Sequence, residues 1–518
     1  MSIPSTPPNY ARRMVSGVLS GTVQVFIARF VGLLTLPVVL SLLGLNLFGL
    51  WTIVAVVTNS QFLIDFGMAS VITRFVAVTA ARGDRQGATR ILRMGAGFYL
   101  GLSLVVALIL LPLTAQVTAW FALPRGVTAD AQVLWVGGIC LFAVSNLSIV
   151  LSATLLGLQR LSHANTAVVI SQIPYASLLV VAMREHWGTI GLLSAVATMY
   201  VVQIAWMGIA VARYLPAHSP IELHERVGFG AFLRFGSLVQ LANTADFYVL
   251  QAPKVVAGIV GGAASAARFD IALRLPMAAF ALLLPLLPPL IPSAARHAAA
   301  GSANSLVALF ARGTRYMAGA AGLIFIMVMI AGPEFLVVWL GSPGSGLAWP
   351  LRLLTGALLL YTLPGIITSM GTGTGQMRVV VQFKGLLAAS ITVALLPLHA
   401  LAGITGIAAA VLAGFALSFA YLVLRADLIL GQGTRATWLA ALGRCAVACS
   451  GALLVGATVI VTLQAAKVPP ATWAASLAAG ATYIALAAYL RMMTRAEIGE
   501  LFRSSPLAAM AGLRRRHL

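Results

Sequence analysis

Acidic side chains are scarce in this 518-residue chain, with 12 Asp and Glu against 33 Lys and Arg and a formal net charge of +21. Charge of either sign is thin, at 9% of residues, where a soluble globular domain carries about a quarter. So little polar surface excludes an ordinary water-soluble protein. Cysteine is nearly missing: Cys140, Cys445 and Cys449 are the only three, all inside apolar segments, so no disulfide framework arises and core packing is their expected role. The seven histidines are scattered, mostly in loops, without HExxH or Cys/His spacing, so no metal site is expected. GTGTGQ, at Gly371 to Gln376, has glycine spacing but lacks the Lys-Ser/Thr and the strand and helix setting of a phosphate loop. It reads as a cytoplasmic turn. Long polar stretches are also missing, and with them any attached soluble catalytic or nucleotide-binding domain. No catalytic residue and no cofactor are assigned.

What is present is hydrophobicity: 60% of residues are apolar and the mean hydropathy is +0.98. A helix needs about 20 mainly apolar residues to cross a bilayer, and about fourteen such segments alternate with short polar breaks. The chain is therefore expected to be an all-α polytopic membrane protein. In a soluble protein the basic excess would suggest nucleic acid. Here most Lys and Arg fall in alternate loops, leaving Arg125, Arg184 and Lys467 in the others, which is the bias that orients membrane proteins. No nucleic acid partner is expected, and both termini are placed on the cytoplasmic side. The N-terminus leads directly into an apolar segment without a small-residue cleavage site and reads as an uncleaved first span. A longer basic connection after the sixth span divides the chain into an N-lobe, 1–212, an inter-lobe connection, 213–232, a C-lobe, 233–424, a terminal helix pair, 425–490, and a basic tail, 491–518.

The most polar of the apolar segments runs from Phe235 to Arg274. On a helix Gln240, Asn243, Asp246, Gln251 and Lys254 share an arc of about 140°, and a polar stripe on a membrane helix implies a wet cavity. The chain then turns back through Arg268, Asp270 and Arg274, of which the last two are helical neighbours. A charge at the centre of a membrane helix costs at least about 2.5 kcal/mol on insertion scales, so such groups face the bundle interior. The candidates are Arg29, Lys254, Arg268, Arg274 and Arg352 against Asp246, Asp270 and Glu334. Basic groups outnumber acidic ones, which suits an anionic ligand held by guanidinium forks. Candidate cavity residues are Gln24, Arg29, Gln240, Asn243, Lys254 and Arg274. Asp246 and Asp270 are candidates for ion coupling or charge balance, with Asp270–Arg274 also readable as a structural pair and Arg268 and Asp270 as a solvated outer lip. A faint internal repeat aligns Val23-Gln24 with Val239-Gln240 and Pro37 with Pro253, and brings Arg29 within one position of Asp246. Its two copies share one orientation, the parallel type that places a site between lobes.

LLGLNLFGLW, followed by FLIDFGMASVITRFVA and a basic loop containing RGD, resembles the N-terminal signature of Wzx-like polysaccharide-biosynthesis flippases of the multidrug/oligosaccharidyl-lipid/polysaccharide (MOP) exporter superfamily. ARFDIALRL with its proline-rich continuation resembles the eighth span of that family. The resemblance implies two six-helix lobes in a V-shaped, pseudo-twofold arrangement plus a C-terminal helix pair in the bacterial cytoplasmic membrane. It implies translocation of an undecaprenyl-diphosphate-linked oligosaccharide from the inner to the outer leaflet by alternating access, with Arg29 and Arg274 on the pyrophosphate and possible proton or sodium coupling. Its partners would be the lipid-linked glycan, the bilayer, and possible glycan polymerase and other assembly proteins. Alternatives are a drug/cation antiporter of the same superfamily, whose cavity should be acidic, and a non-transporting membrane scaffold for glycan assembly. A membrane glycosyltransferase is disfavoured by the short outer loops. Topology is checked by reporter fusions: a fluorescent protein after Leu518 should fluoresce, and alkaline phosphatase inserted in the link after Arg184 should be active, the reverse pattern refuting the orientation.

Overall fold

The computed structural model describes residues 8–60, 67–81, 83–215, 229–287, 290–299, 303–431, 433–465 and 471–490. Most of the 213–232 connection and the 491–518 tail lie outside them. Described residues are almost entirely helical, without a strand, as expected where every backbone N–H must be satisfied within its own segment. Nine of their helices are long and apolar enough to cross a membrane.

By internal packing the chain divides into two units: residues 1–274 with 387–411, and residues 275–386 with 412–518. The first unit opens with α1 (Pro8–Leu34) and α2 (Leu36–Asn59). The chain bends at Thr35, where Pro37 near the start of α2 interrupts the ladder. The expected turn into the second span is sharper than a loop: Gly44, at φ 68°, breaks α2 internally. The basic connection expected between spans two and three is largely helix, α3 (Met68–Ala81), with Ile72 and Val76 buried. It leads into α4 (Arg85–Leu110), where the Asp84 carboxylate caps the Gly87 N–H at 2.8 Å. Leu100, Leu104 and Leu108 form an exposed stripe on α4 while Tyr99, Ser103 and Val106 are buried, the division expected of a helix with lipid on one side.

After α5 (Thr114–Trp120), the helices α6 (Thr128–Gly157), α7 (Leu161–Arg184) and α8 (Gly188–Tyr214) complete the N-terminal six spans. Their interior is stitched by side-chain amides and hydroxyls. Asn146 donates to Ser103 Oγ at 2.9 Å, and Gln203 donates to Ser171 Oγ at 3.0 Å while accepting from Ser148. Such interhelical bonds contribute about 0.6–2 kcal/mol each in a membrane.

The same unit holds α9 (Phe229–Gly261) and the start of α10 (Ala263–Leu283). The link between them is one residue, Gly262 at φ 78°. This tight hairpin is seated on its neighbours: the Ala263 N–H donates to the Phe121 carbonyl at 3.0 Å, and a Cβ on Gly49 would run into the Ala263 carbonyl. Three turns assigned to the same membrane side by loop charge, around Gly44, Phe121 and Gly262, thus lie at one end of the unit.

In the second unit the proline-rich end of α10 passes through a 3-10 turn, Leu284–Leu286. The basic segment that follows is largely helical, as α11 (Leu290–Ala299) and the first turns of α12 (Ala303–Leu340). Two helices, α13 (Ala348–Thr362) and α14 (Gly365–Gly373), divide the tenth span at Pro364. Next comes α15 (Met377–Arg425), whose stretch 387–411 belongs to the first unit and which is broken at Ala402 and Gly403. A short α16 (Asp427–Leu430) leads to the terminal pair, α17 (Thr434–Ala465) and α18 (Ala471–Tyr489). The pair packs on α12 through small residues, Ala318, Ala448, Ala452, Ala475 and Ala479, around buried Tyr483, with the Tyr483 hydroxyl donating to the Ala318 carbonyl at 3.0 Å. Cys445 joins this core beside Cys449.

The close approach at Gly49 gives a test. Gly49→Ala should lower stability in detergent by about 1–3 kcal/mol, because the obstacle is backbone and cannot rotate away. Gly97→Ala, where a Cβ meets open space, should be neutral or slightly stabilising. Equal melting temperatures for the two variants would contradict the packing described.

Candidate functional site: a cationic cluster around Asp270

Four charged groups from three helices of the first unit converge: Arg29, Lys254, Asp270 and Arg274. Asp270 on α10 is 9% exposed. Its Oδ1 receives the Lys254 ammonium of α9 at 2.6 Å, and its Oδ2 accepts from Arg274 Nε at 3.0 Å. Both carboxylate oxygens are therefore occupied, each by a different cation. The local sequence sets this up: Asp270 and Arg274 are one helical turn apart, and the one-residue Gly262 link folds α9 back beside them.

Arg274 also ties this pair to the start of the chain. Its NH1 donates to the Gly32 carbonyl of α1 at 3.1 Å, just before the bend at Thr35. The Phe48 ring lies beneath it, 5.5 Å from guanidinium carbon to ring centroid, within reach of a cation–π attraction. Arg29, one turn earlier on α1, is exposed and within electrostatic range of both Arg274 and Asp270. Tyr175 of α7 lies beside Thr35 and within electrostatic range of Arg274, and the Thr35 hydroxyl donates to the Val31 carbonyl at 2.8 Å. The set is three cations, one carboxylate and a phenol.

Guanidinium carries five donors in a planar fork, and Arg274 commits only two to the contacts above. Together with Arg29 it can offer paired N–H groups to a second anion while Asp270 keeps part of the positive charge compensated. A carboxylate between two cations suits charge balance, and its low exposure departs from the solvated-lip reading of Asp270. Arg268, by contrast, is exposed and has no ion pair among the described residues.

The remaining candidates are placed as follows. Gln24 is half-buried on α1, and Asp246 is half-buried on α9, two turns from Lys254. Gln240 and Asn243 belong to α9, but their side chains lie outside those described. Arg352 and Glu334 are in the second unit. The Arg352 guanidinium lies 5.5 Å from the Trp349 ring centroid, and one Glu334 oxygen is buried without a hydrogen-bond partner among the described residues. Three contributors were not anticipated from sequence: Gly32, Phe48 and Tyr175. Only Tyr175 carried a usable signal, since it follows Pro174 inside a membrane helix, and interior prolines mark irregular, solvated positions. No grouping of His, Cys, Asp and Glu able to hold a metal ion occurs among the described residues.

No family model matches the sequence, and no curated protein matches it. Solved structures do match in fold. The lipid II flippase MurJ, in an inward closed conformation, superposes with a TM-score of 0.65 at 10% identity, covering 91% of this chain and 98% of its own. A multidrug resistance MATE family transporter of the MOP superfamily, inward-facing, gives 0.58 at 15% identity over 83% and 96%. A MOP superfamily transporter from Pyrococcus furiosus, described as having a binding pocket of reversed polarity, gives 0.56 at 16% identity over 80% and 96%. The fold is that of the MOP superfamily transporters, with about fourteen membrane helices, and its structural neighbours are transporters rather than enzymes.

Breaking the central pair should be costly. Asp270→Asn leaves the buried Lys254 and the part-buried Arg274 without their shared anion and should lose about 3–5 kcal/mol, read as a fall in melting temperature in detergent. Adding Lys254→Met to that variant removes one orphaned cation and should restore part of the loss. A double variant less stable than Asp270→Asn alone would contradict the shared-carboxylate arrangement.

Proposed function

We propose that the protein is a flippase carrying an undecaprenyl-diphosphate-linked oligosaccharide from the inner to the outer leaflet of the bacterial cytoplasmic membrane, and that the Asp270 cluster receives the diphosphate. The observation that carries this reading is the excess of three cations over one carboxylate at membrane depth, with Arg29 exposed and Arg274 only partly engaged. A diphosphate presents oxygens that match guanidinium forks bidentately. The fold shared with the lipid II flippase MurJ and the sequence resemblance to Wzx-like flippases support the same cargo class. A drug/cation antiporter would need the opposite sign at this site, and a scaffold would need no buried charge at all. Asp246 is the group proposed for proton or sodium coupling, since both oxygens of Asp270 are already taken.

The test is transport in proteoliposomes loaded with a fluorescent diphosphate-linked glycolipid, read by access of a membrane-impermeant reductant. Each charge-assisted hydrogen bond to the diphosphate contributes about 1.5–3 kcal/mol, so Arg29→Ala and Arg274→Ala should each slow flipping by about tenfold or more. Arg29→Ala is the cleaner variant because Arg29 stands outside the Lys254–Asp270–Arg274 contacts. Unchanged flipping by a properly inserted Arg29→Ala variant would remove the assignment.

A further inference from the structure

A second basic group in the first unit lies apart from the transport cluster, where α6, α7 and α8 end together. The α6–α7 turn passes through Gln159, held at φ 58°, to Arg160. The Arg160 guanidinium lies over the Tyr214 ring at 4.1 Å from the centroid. His163, one turn into α7, packs its ring on the same tyrosine at 5.1 Å and is within electrostatic range of both Arg160 and Arg213. Tyr214 is thereby the floor of a patch whose rim is Arg160, His163 and Arg213. Below it the helices are locked by an apolar core of Leu151, Leu155, Ala164, Met207 and Val211, so the patch stands on rigid elements. Leu92 of α4 packs against this core, and its sequence neighbours Arg90 and Arg93 are exposed.

None of Arg160, His163 and Arg213 has an ion pair among the described residues. Like charges brought together repel unless an anion completes them. The patch occupies the junction between apolar helix surface and the loop side to which charge bias assigns the cytoplasm, the depth of phospholipid headgroups. Tyrosine is enriched there because its ring is apolar and its hydroxyl wet, and basic pockets between helix ends on that side suit acidic headgroups.

We propose that Arg160, Arg213 and His163, arranged over Tyr214, form a binding site for the phosphodiester headgroup of an anionic phospholipid of the inner leaflet. The two guanidinium groups embrace the phosphate, the imidazole adds a donor, and the acyl chains follow the exposed apolar faces of the helices. The site is separate from the diphosphate cluster and does not depend on which cargo that cluster carries.

Native mass spectrometry of the full-length protein tests this, with release from micelles containing equal phosphatidylglycerol and phosphatidylethanolamine. The wild-type protein should retain phosphatidylglycerol preferentially. One arginine near a bilayer surface contributes about fivefold to anionic lipid binding, so Arg160→Gln/Arg213→Gln should lower retention by about twenty-fivefold, whereas Arg160→Lys/Arg213→Lys should keep most of it. Arg184→Gln, at the opposite end of α7, should change nothing. If Arg160→Gln fails to fold, Arg213→Gln alone carries the test, because Arg213 is exposed and should still cost about fivefold. Undiminished retention in the Gln variants would overturn the proposal. So would displacement of the lipid by millimolar inorganic phosphate, which would mark a site for soluble anions.

Discussion

Asp270 is the constraint around which the first unit is arranged. A carboxylate taken out of water is tolerable only with its oxygens satisfied, and here two cations from two helices do that, Lys254 from α9 and Arg274 from its own helix. The requirement fixes the hairpin. The chain must reverse within one residue at Gly262 so that Lys254 can reach Asp270, and that reversal is possible because Phe121 and Gly49 accept the turn. Arg274 then extends the contact to α1 through the Gly32 carbonyl. One buried anion thus joins the beginning of the chain to its seventh and eighth spans.

The same geometry explains the stretch through which the sequence resembles a known family. In LLGLNLFGLW, Gly44 supplies the positive φ of the turn between the first two spans, Phe48 lies under Arg274, and Gly49 clears space for the Ala263 carbonyl. Its counterpart ARFDIALRL supplies Asp270 and Arg274 themselves. The two motifs, far apart in sequence, are two sides of one contact. The rest of each span has only to be apolar and helical, which many sequences can satisfy. That is consistent with a fold shared with MurJ at 10% identity.

Much of this was legible beforehand because membrane helices obey few rules. Apolar runs mark the helices, and the one-turn spacing of Asp270 and Arg274 makes them neighbours on one face. What stayed hidden is instructive. Lys254 is readable as a cavity residue from its place on the polar stripe, but its partner is not: only the Gly262 hairpin brings it to Asp270. The basic segments around α3, α11 and the start of α12 interrupt the hydropathy pattern without interrupting the helix. Phe48 could not be singled out by composition, because aromatic residues fill membrane cores everywhere and its role here comes from a helix distant in sequence.

The account rests on the movement of a diphosphate-linked glycan across the membrane by this chain. The most direct measurement is the leaflet distribution of lipid-linked repeat units in cells lacking the protein, read by their accessibility to a glycan-modifying enzyme added to intact spheroplasts. The account predicts that the repeat units accumulate on the inner leaflet, out of the enzyme's reach, and that the wild-type chain returns them to the outer leaflet. Repeat units equally accessible with and without the chain would contradict it.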